Sequence, residues 1–467
     1  MSAQETTSTD RRKFLKLTAG AAVGITASLL PTQANAKSHR HNHYNHYNHK
    51  NNNQQWKKIQ RAFALDKNTT YMNVGTTGSM PISVLANYQE NNLAVAKNPW
   101  DMQEKFGTWP YVTEMTASIA AGFGANDDEI ILSRNTTDGM CSILNGLHFE
   151  AGDVILTTHH EHVAALSPLY VLAARYSVEI VYLDIPVDTG DNSITEQAFV
   201  DLFAQAANEY AGRVRLITFS HITYKTGTRL PAKRICQEVA IPNEIPTLID
   251  GAHGIGMLDL DFHDIGCDFY AGAGHKWQCG PGATGILFVL DSAKRLDEYW
   301  SDRENPLWFI NSSLGHADYL GTQLQLQYIG NDNYPAKQAL TDACNMWDEI
   351  GRNEIEARVL SLSKRCKQGL KAAFPTASIY SPDIDELASG ITSFNPFEDV
   401  NDLETLNEFR DQLREQTGFI IRTTDFKISQ DDEIDTHALR ISTHLFHDEN
   451  DVDGLIEAME HIFKNMF

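Results

Sequence analysis

The sequence predicts an α/β fold, with a mostly parallel, seven-stranded sheet in a large domain and a smaller C-terminal α+β domain. Three observations lead to this prediction. Seven short runs within residues 129–290 are apolar and β-branched on both faces, as strands covered on both sides are. Helical stretches separate most of these runs, which is typical of doubly wound sheets. From residue 335 onward, a long helical stretch leads into short strands and helices.

The candidate strands follow in chain order. They cover residues 129–133, 153–158, 178–185, 214–220, 246–251, 268–273 and 285–290. Little helix lies between the last three, so we expect the strand order there to depart from strict alternation. The large domain is assigned to residues 81–334, the small domain to residues 335–467, and an N-terminal arm to residues 56–80.

Residues 1–36 have the features of an export signal. A twin arginine, Arg11 and Arg12, precedes a mildly apolar run over residues 17–30, and an A-x-A cleavage pattern follows. The apolar run is too short to span a bilayer. The pattern resembles the bacterial twin-arginine signal, which implies export by the twin-arginine translocase and a periplasmic location.

Residues 37–55 predict a disordered polar linker. The segment is low in complexity, is rich in Asn and His, and has no apolar face. Such dense imidazoles are able to bind a transition metal, although a plain flexible tether is the favoured interpretation. The histidines are His39, His41, His43, His46 and His49.

Charge and cysteine content exclude several classes of protein. The formal net charge of −23 argues against nucleic-acid binding, which needs clustered Lys and Arg, and fits a soluble protein that acts on small molecules. The six cysteines include no C-x-x-C pair and predict buried free thiols rather than a disulfide scaffold. Beyond the export signal, no apolar run reaches the length of an integral membrane span.

Two neighbouring candidate strands end in residues suited to catalysis. Asp250 ends one strand and is followed by His253, whereas His275 and Lys276 follow the next. Because ligands bind at the carboxyl ends of parallel strands, we expect these side chains to line one crevice. An acid, imidazoles and a lysine at such a place predict a cofactor site.

Two further strand ends carry candidate cofactor contacts. Thr136 and Thr137 open a helix, where hydroxyls and free N–H groups bind phosphate, although an ordinary helix cap is the alternative. In "TTHHEHVAALSP" the histidines lack the spacing and partners of a zinc site. Stacking of one histidine on a flat ring is therefore the preferred interpretation, with an ordinary loop histidine as the alternative.

Together these elements call for a flat, phosphorylated cofactor that bonds to a lysine and has a basic ring nitrogen. Pyridoxal 5′-phosphate meets each requirement. Lys276 would form the covalent bond, and Asp250 would pair with the ring nitrogen and keep it protonated. Burial near that positive nitrogen is expected to lower the pKa of the lysine.

A set of motifs makes the chain resemble a known family. From about residue 70 to the C-terminus it resembles the class V pyridoxal-phosphate enzymes of fold type I, which include cysteine desulfurases, isopenicillin N epimerase-like proteins and aminotransferases. The motifs occur in the order "SRNTTDG", "EHVAALSP", "SHITYKTG", "LIDGAHGIG", "CDFYAGAGHKWQCGPGATGILFV" and "ALRISTHLF".

The resemblance assigns cofactor contacts. Lys276 matches the Schiff-base lysine, Asp250 the partner of the pyridinium nitrogen, and His162 the histidine that stacks on the ring. The matched phosphate contacts are Thr136, Thr137 and His275. His253 stands where relatives carry Gln or His near the phenolic oxygen of the cofactor.

The resemblance also implies a homodimer and an amino-acid substrate. Thr322 in "YLGTQ" matches the threonine that contacts the phosphate in the neighbouring subunit. Arg440 matches the arginine that forms a bidentate pair with the α-carboxylate of the substrate.

Three departures from the family pattern bear on the reaction. Ala273 replaces a phosphate-binding serine, and Tyr224 replaces an asparagine near the phenolic oxygen. Residues 423–427, read as a loop, contain no cysteine where desulfurases place their nucleophile. A desulfurase lacking this thiolate has no sulfur acceptor, so we exclude that activity.

The reaction itself stays open at this point. Transamination is favoured, whereas epimerisation and C–S or β-elimination are alternatives, since each begins with removal of the α-proton, assigned to Lys276. A non-enzymatic alternative is a periplasmic protein that binds a ligand or a metal through its histidine-rich linker.

Overall fold

The computed structural model describes residues 49–317 and 319–466, and residues 50–467 form one compact unit. The export signal and most of the linker, residues 1–48, lie outside the described residues. Helix His49–Gln60 begins within the segment assigned to the linker, ahead of the expected start at Trp56. Trp56 and Ile59 lie three positions apart on this helix and are both buried in the main core, which anchors the helix.

The seven predicted strands are confirmed and form one sheet. The described strands are β1 (Thr70–Tyr71), β2 (Ile130–Ser133), β3 (Val154–Thr158), β4 (Glu179–Leu183), β5 (Val214–Ser220), β6 (Thr247–Asp250), β7 (Phe269–Ala273), β8 (Gly285–Val289), β9 (Ser378–Ile379), β10 (Ile391–Asn395), β11 (Phe419–Ile420), β12 (Arg422–Phe426) and β13 (Thr436–Ser442). The large sheet has the order β2-β8-β7-β6-β5-β3-β4. Among the described strands of this sheet, β8 alone runs in the opposite direction to the rest, and it pairs antiparallel with β2 and with β7. A helix-free connection returns the chain from β7 to β8, which is the connection that antiparallel neighbours use.

α-Helices cover the large sheet on both faces, and others pack in the C-terminal part. They are His49–Gln60, Ile82–Lys97, Trp109–Ala121, Thr136–Leu144, Val163–Tyr176, Glu196–Glu209, Ala232–Arg234, Phe262–Ile265, Lys294–Tyr299, Thr322–Gln327, Tyr334–Ile350, Arg352–Ala373, Leu403–Thr417 and Glu449–Met466. Alternate side chains of a strand enter different cores: Ile130 and Leu132 belong to one cluster and Ile131 to another. Both faces are therefore buried, as the apolar strand pattern predicts.

The C-terminal part contains a second sheet, of order β12-β13-β10-β9, in which all pairs are antiparallel. Apolar residues from helices Arg352–Ala373, Leu403–Thr417 and Glu449–Met466 form one core with those of this sheet. By contrast, helix Tyr334–Ile350 packs on helices Ile82–Lys97 and Trp109–Ala121. The division at residues 334 and 335 stays a prediction.

The N-terminal arm joins the C-terminal part through β1, which pairs in parallel with β11. Thr70 lies opposite Phe419, and the backbone N–H of Ser442 donates to the carbonyl of Met72 at 2.8 Å. The arm therefore positions the residues that follow Met72 beside β13. Among the described residues, no helix has both the length and the apolar character that a membrane crossing requires.

Candidate active site

A cavity of about 490 Å³ lies at the carboxyl ends of the parallel strands. Residues from the ends of β5, β6 and β7, from the loops after β2 and β3, and from β12 and β13 line it together. The predicted site residues that line it are Thr136, Thr137, His162, Asp250, His253, His275, Lys276 and Arg440. The structure therefore brings these residues together in one cavity, as the strand-end rule predicts.

The side chains of Lys276 and His253 lie next to each other in the cavity. The Nζ atom of Lys276 lies 3.4 Å from Nε2 of His253, whose Nδ1 accepts a hydrogen bond from Nε1 of Trp277 at 3.0 Å. Burial lowers the pKa of Lys276 to about 8, although the charge of Asp250 acts in the opposite direction. A substantial fraction of this amine is thus neutral near physiological pH and can act as a nucleophile or base.

Asp250 is a buried carboxylate at the end of β6, only 4% exposed. Its Oδ1 accepts from the backbone N–H of Ala252 at 2.9 Å, and burial raises its pKa. An opposite charge is what such a carboxylate lacks, and a protonated ring nitrogen would supply it.

A second buried acid lies behind Asp250. Ser220 is the register partner of Asp250 on the neighbouring strand, and it lines the cavity. Its backbone N–H donates to Glu161 at 3.0 Å and its hydroxyl at 2.6 Å. Burial raises the pKa of Glu161 to about 7. Sequence reasoning missed Ser220, although it ends a predicted strand as Asp250 does.

The helix after β2 has the character of a phosphate site. Asn135 caps this helix by accepting from the backbone N–H of Asp138 at 2.9 Å. The Oγ1 atom of Thr136 and the Nδ1 atom of His275 are buried and have no hydrogen-bond partner among the described residues. Since buried polar groups are normally paired, these two atoms fit the phosphate of pyridoxal phosphate. Ala273 lines the same cavity with no hydroxyl to add.

His162 lies at the wall of the cavity, where it caps helix Val163–Tyr176. Its Nδ1 accepts from the backbone N–H of Ala164 at 3.1 Å, so the remaining proton of the neutral ring is on Nε2. Burial, with help from the charge of Lys276, lowers its pKa to about 4. The ring of Tyr224 meets it edge to face, with centroids 5.0 Å apart. A neutral imidazole with an open face suits stacking on an aromatic ring.

Arg440 is a buried cation that has no counter-ion among the residues that the structure describes. It is 1% exposed and carried by β13. Its guanidinium donates to the carbonyl of Tyr224 at 3.1 Å, to Oδ1 of Asn73 at 3.3 Å and to Oγ1 of Thr76 at 3.0 Å. Each of these oxygens is neutral, and Nε of Arg440 is buried without a partner. Burial and the nearby Arg422 lower its pKa, but only to about 9, so it stays charged. A carboxylate ligand would neutralise it.

Cysteines take no part in the cavity. Among the described residues that line it there is none. All six cysteines are free, and Cys279, Cys344 and Cys366 are fully buried. Of the segment expected to be a loop at residues 423–427, residues 423–426 are strand instead, because β12 pairs with β13 as far as Phe426. This pairing brings Thr424, Asp425 and Arg422 to the cavity.

The two remaining histidines of "HHEH" bind backbone. The Nε2 atoms of His159 and His160 lie 3.3 Å and 2.8 Å from the carbonyl oxygen of Lys427, just after β12. Within the described part of the chain, no three His, Cys, Asp or Glu side chains form a group suited to a metal ion.

Thr322 does not line the cavity of its own chain. It is the first residue of helix Thr322–Gln327. Its assignment to the phosphate of a neighbouring subunit stays a prediction.

Comparisons with known proteins agree with this geometry. The model of the aminotransferase class V family matches residues 70–455. Isopenicillin N epimerase from Streptomyces clavuligerus is 25% identical over 413 residues, 87% of this chain and 98% of that protein. Putative L-cysteine desulfhydrase 2 from Oryza sativa subsp. japonica is 26% identical over 288 residues, 59% of this chain and 57% of that protein. Cysteine desulfurases are also among the matched proteins.

A solved structure shares the fold. C-DES, with glycine covalently linked to its pyridoxal phosphate cofactor, has a TM-score of 0.69 and 22% identity. The match covers 86% of this chain and 98% of that one. The predicted architecture, a mostly parallel seven-stranded sheet with a C-terminal α+β part, is therefore confirmed as the fold of such enzymes.

Proposed function

Since the chain belongs to the class V aminotransferase family and its site fits pyridoxal phosphate, we propose that it is an enzyme acting at the α-carbon of an amino acid or an amino-acid-containing metabolite. The observation that carries this proposal is the buried, uncompensated guanidinium of Arg440 in the cavity that contains Lys276. When bound, pyridoxal phosphate supplies an electron-withdrawing ring that weakens the bonds at the α-carbon.

Residues of the chain supply binding and proton transfer. Arg440 would bind the α-carboxylate through two charge-assisted hydrogen bonds. Lys276, with a pKa of about 8, would accept the α-proton at Nζ. Asp250 would keep the ring nitrogen protonated, and Thr136 and His275 would bind the phosphate. His162 would cover one face of the ring and keep water from it.

We propose epimerisation as the leading reaction. Burial raises the pKa of Tyr224 to about 12, so its phenol keeps a proton at neutral pH. The phenol ring contacts His162 at the wall of the cavity. If this phenol returned a proton to the face of the α-carbon opposite the one from which Lys276 removed it, the configuration would be inverted. The nearly full-length match to isopenicillin N epimerase supports this choice.

Two other reactions stay as candidates. β-Elimination is supported by the similarity to the putative L-cysteine desulfhydrase, although that match covers only part of each chain. Transamination, which the sequence favours, uses the same first proton transfer. The two relatives compared above, however, are named as an epimerase and as a putative desulfhydrase, not as aminotransferases. The absence of cysteine from the described cavity lining supports excluding desulfuration.

The test follows the α-proton. Protein loaded with pyridoxal phosphate is incubated with amino acids in D₂O, and NMR measures deuterium at the α-carbon. We expect exchange in the wild type and at least about a hundredfold slower exchange in Lys276→Ala, because general-base catalysis contributes on the order of 10²–10⁴. Loss of optical rotation without keto acid indicates epimerisation, ammonia with keto acid indicates elimination, and keto acid formed only with an amino acceptor indicates transamination.

One set of results would contradict an enzymatic function. A purified protein that stays colourless with pyridoxal phosphate, exchanges no α-proton and binds metal through its linker would support the non-enzymatic alternative. Arg365→Gln is the matched control for the variants of the site, because this arginine pairs with Asp453 on the surface.

We also propose that the enzyme is periplasmic and a homodimer. The twin arginine and the A-x-A pattern of residues 1–36 support export by the twin-arginine translocase. Thr322, which lies outside the cavity of its own chain, supports a dimer that shares a phosphate contact. Cell fractionation and light scattering check the two proposals.

A further inference from the structure

Two arginines lie directly opposite each other beside the cavity. In the antiparallel pairing of β12 with β13, Arg422 is the register partner of Arg440. Directly opposite residues project to the same face of a sheet, and both of these line the cavity. Like charges in this arrangement destabilise a sheet, so something else must compensate for their repulsion.

The described residues offer neither arginine a counter-ion. Oγ1 of Thr76 accepts from Arg440 at 3.0 Å and from Arg422 at 3.4 Å. The other hydrogen bond of Arg422 goes to the carbonyl of Thr423 at 3.0 Å. These acceptors are neutral, and no carboxylate of the described residues lies within 4 Å of either guanidinium. Asp425 lines the same cavity without forming an ion pair with them.

The two arginines differ in depth. Arg440 is 1% exposed, whereas Arg422 is exposed to solvent. One planar fork suffices to bind one carboxylate bidentately. Two forks at different depths therefore provide an inner anion site near Lys276 and an outer one toward the mouth of the cavity.

We propose that Arg422 binds a second anionic group of the substrate, so that the enzyme acts on amino acids with a further carboxylate, in the side chain or in an attached acyl group. This inference rests on the proposed function, in which Arg440 binds the α-carboxylate. It adds a specificity-determining residue and a substrate class.

The experiment compares diacids with their neutral isosteres. Racemic 2-methylaspartate, 2-methylglutamate and 2-methyl-2-aminoadipate, and the ω-amide of each, carry no α-proton and bind without turnover. Calorimetry measures their affinity for the enzyme loaded with pyridoxal phosphate. We expect at least one diacid to bind about tenfold or more tightly than its amide, since a hydrogen bond to a charged group contributes that much.

The variants test which arginine causes the tighter binding of diacids. Arg422→Gln should remove the preference and leave amide affinity unchanged, and Arg422→Lys should restore part of it. Arg440→Gln should weaken diacid and amide alike, and Arg365→Gln should change neither. Thermal unfolding checks that each variant is folded.

Two outcomes would overturn the inference, and they are distinguishable. The inference fails if the wild type binds each diacid no better than its amide. It also fails if Arg422→Gln and Arg440→Gln each weaken diacid and amide equally, since the two arginines then serve one carboxylate. In either case the proposed function stands. If neither class of probe binds the wild type and Arg440→Gln behaves the same, the proposed function fails as well.

Discussion

Thr136 shows how a single buried atom reveals a ligand. Its hydroxyl is buried at the start of a helix without a protein partner, and His275 has a nitrogen in the same state. A fold that leaves such atoms unpaired loses about 1–3 kcal/mol for each, unless a ligand completes the bonds. We propose that the phosphate of pyridoxal phosphate would complete both.

The hydroxyl of Thr136 can be tested by substitution. Thr136→Val keeps the shape of the side chain and should weaken binding of pyridoxal phosphate about tenfold, through loss of a hydrogen bond to a charged group. Absorbance titration measures the affinity. Pyridoxal, which lacks the phosphate, should bind the variant and the wild type equally. Thr116→Val is the control, because Thr116 is buried but donates to the carbonyl of Thr113 away from the cavity. Equal loss for both ligands would contradict a phosphate contact.

At the scale of elements, the loop at residues 75–78 closes over the lysine. The backbone N–H of Gly78 donates to the carbonyl of His275 at 2.7 Å. A Cβ on Gly78 would lie 2.1 Å from the carbonyl oxygen of Lys276 and 2.9 Å from Sγ of Cys279. The loop therefore approaches the lysine only because this residue has no side chain.

Gly78→Ala should consequently displace the loop. Overpacking of this kind costs about 1–3 kcal/mol, and we expect a lower unfolding midpoint with weaker cofactor affinity. Gly282→Ala is the matched control, because it follows the same lysine by six residues in the chain and a Cβ there would meet no atom within 4 Å. Calorimetric unfolding and absorbance titration measure the two effects. A Gly78→Ala protein as stable as Gly282→Ala would contradict the close approach.

Strand β12 depends on a second contact between elements. The paired rings of His159 and His160 both bind the carbonyl of Lys427, which ties the end of β12 to the end of β3. Arg422, at the other end of this strand, is held opposite Arg440 by the same pairing. His159 and His160 thus hold a strand in position rather than bind a metal.

The whole molecule should lose stability in acid. Outside the cavity, burial lowers the pKa of four histidines to about 3 or 4. They are His160, His221, His444 and His447. Unfolded histidine titrates near 6.5, so between about 4 and 6.5 the unfolded chain binds more protons than the folded one. Stability therefore falls as the pH falls through this window, by up to about 1.4 kcal/mol per pH unit for each histidine.

Glu161 acts in the opposite direction but is outnumbered. Because the pKa of Glu161 is about 7 in the folded protein, above that of an ordinary glutamate, the folded protein keeps a proton on it at pH values where the unfolded chain has lost that proton. We expect the free energy of unfolding to drop from pH 7 to pH 5, as measured by urea unfolding. His444→Gln should make this dependence shallower, whereas the exposed His461→Gln should leave its slope unchanged. A stability that does not vary between pH 7 and pH 5 would contradict neutral, buried imidazoles.

The sequence alone determined the seven strands of the large sheet and identified most of the polar residues that the cavity brings together. Apolar runs identify the strands because burial on both faces leaves a local pattern. The ends of those strands then locate Asp250 and Lys276, because parallel strands bring their carboxyl ends to one edge.

Only the tertiary structure decided which distant residues meet. The position of Arg422 opposite Arg440 follows from strand register, and that of Ser220 between Asp250 and Glu161 follows from the packing of neighbouring strands. Helix His49–Gln60 begins inside a segment that reads as linker, because its burial depends on a core formed by later residues. These contacts join residues far apart in the chain, and their free energy depends on register and burial, which no local pattern of residues records.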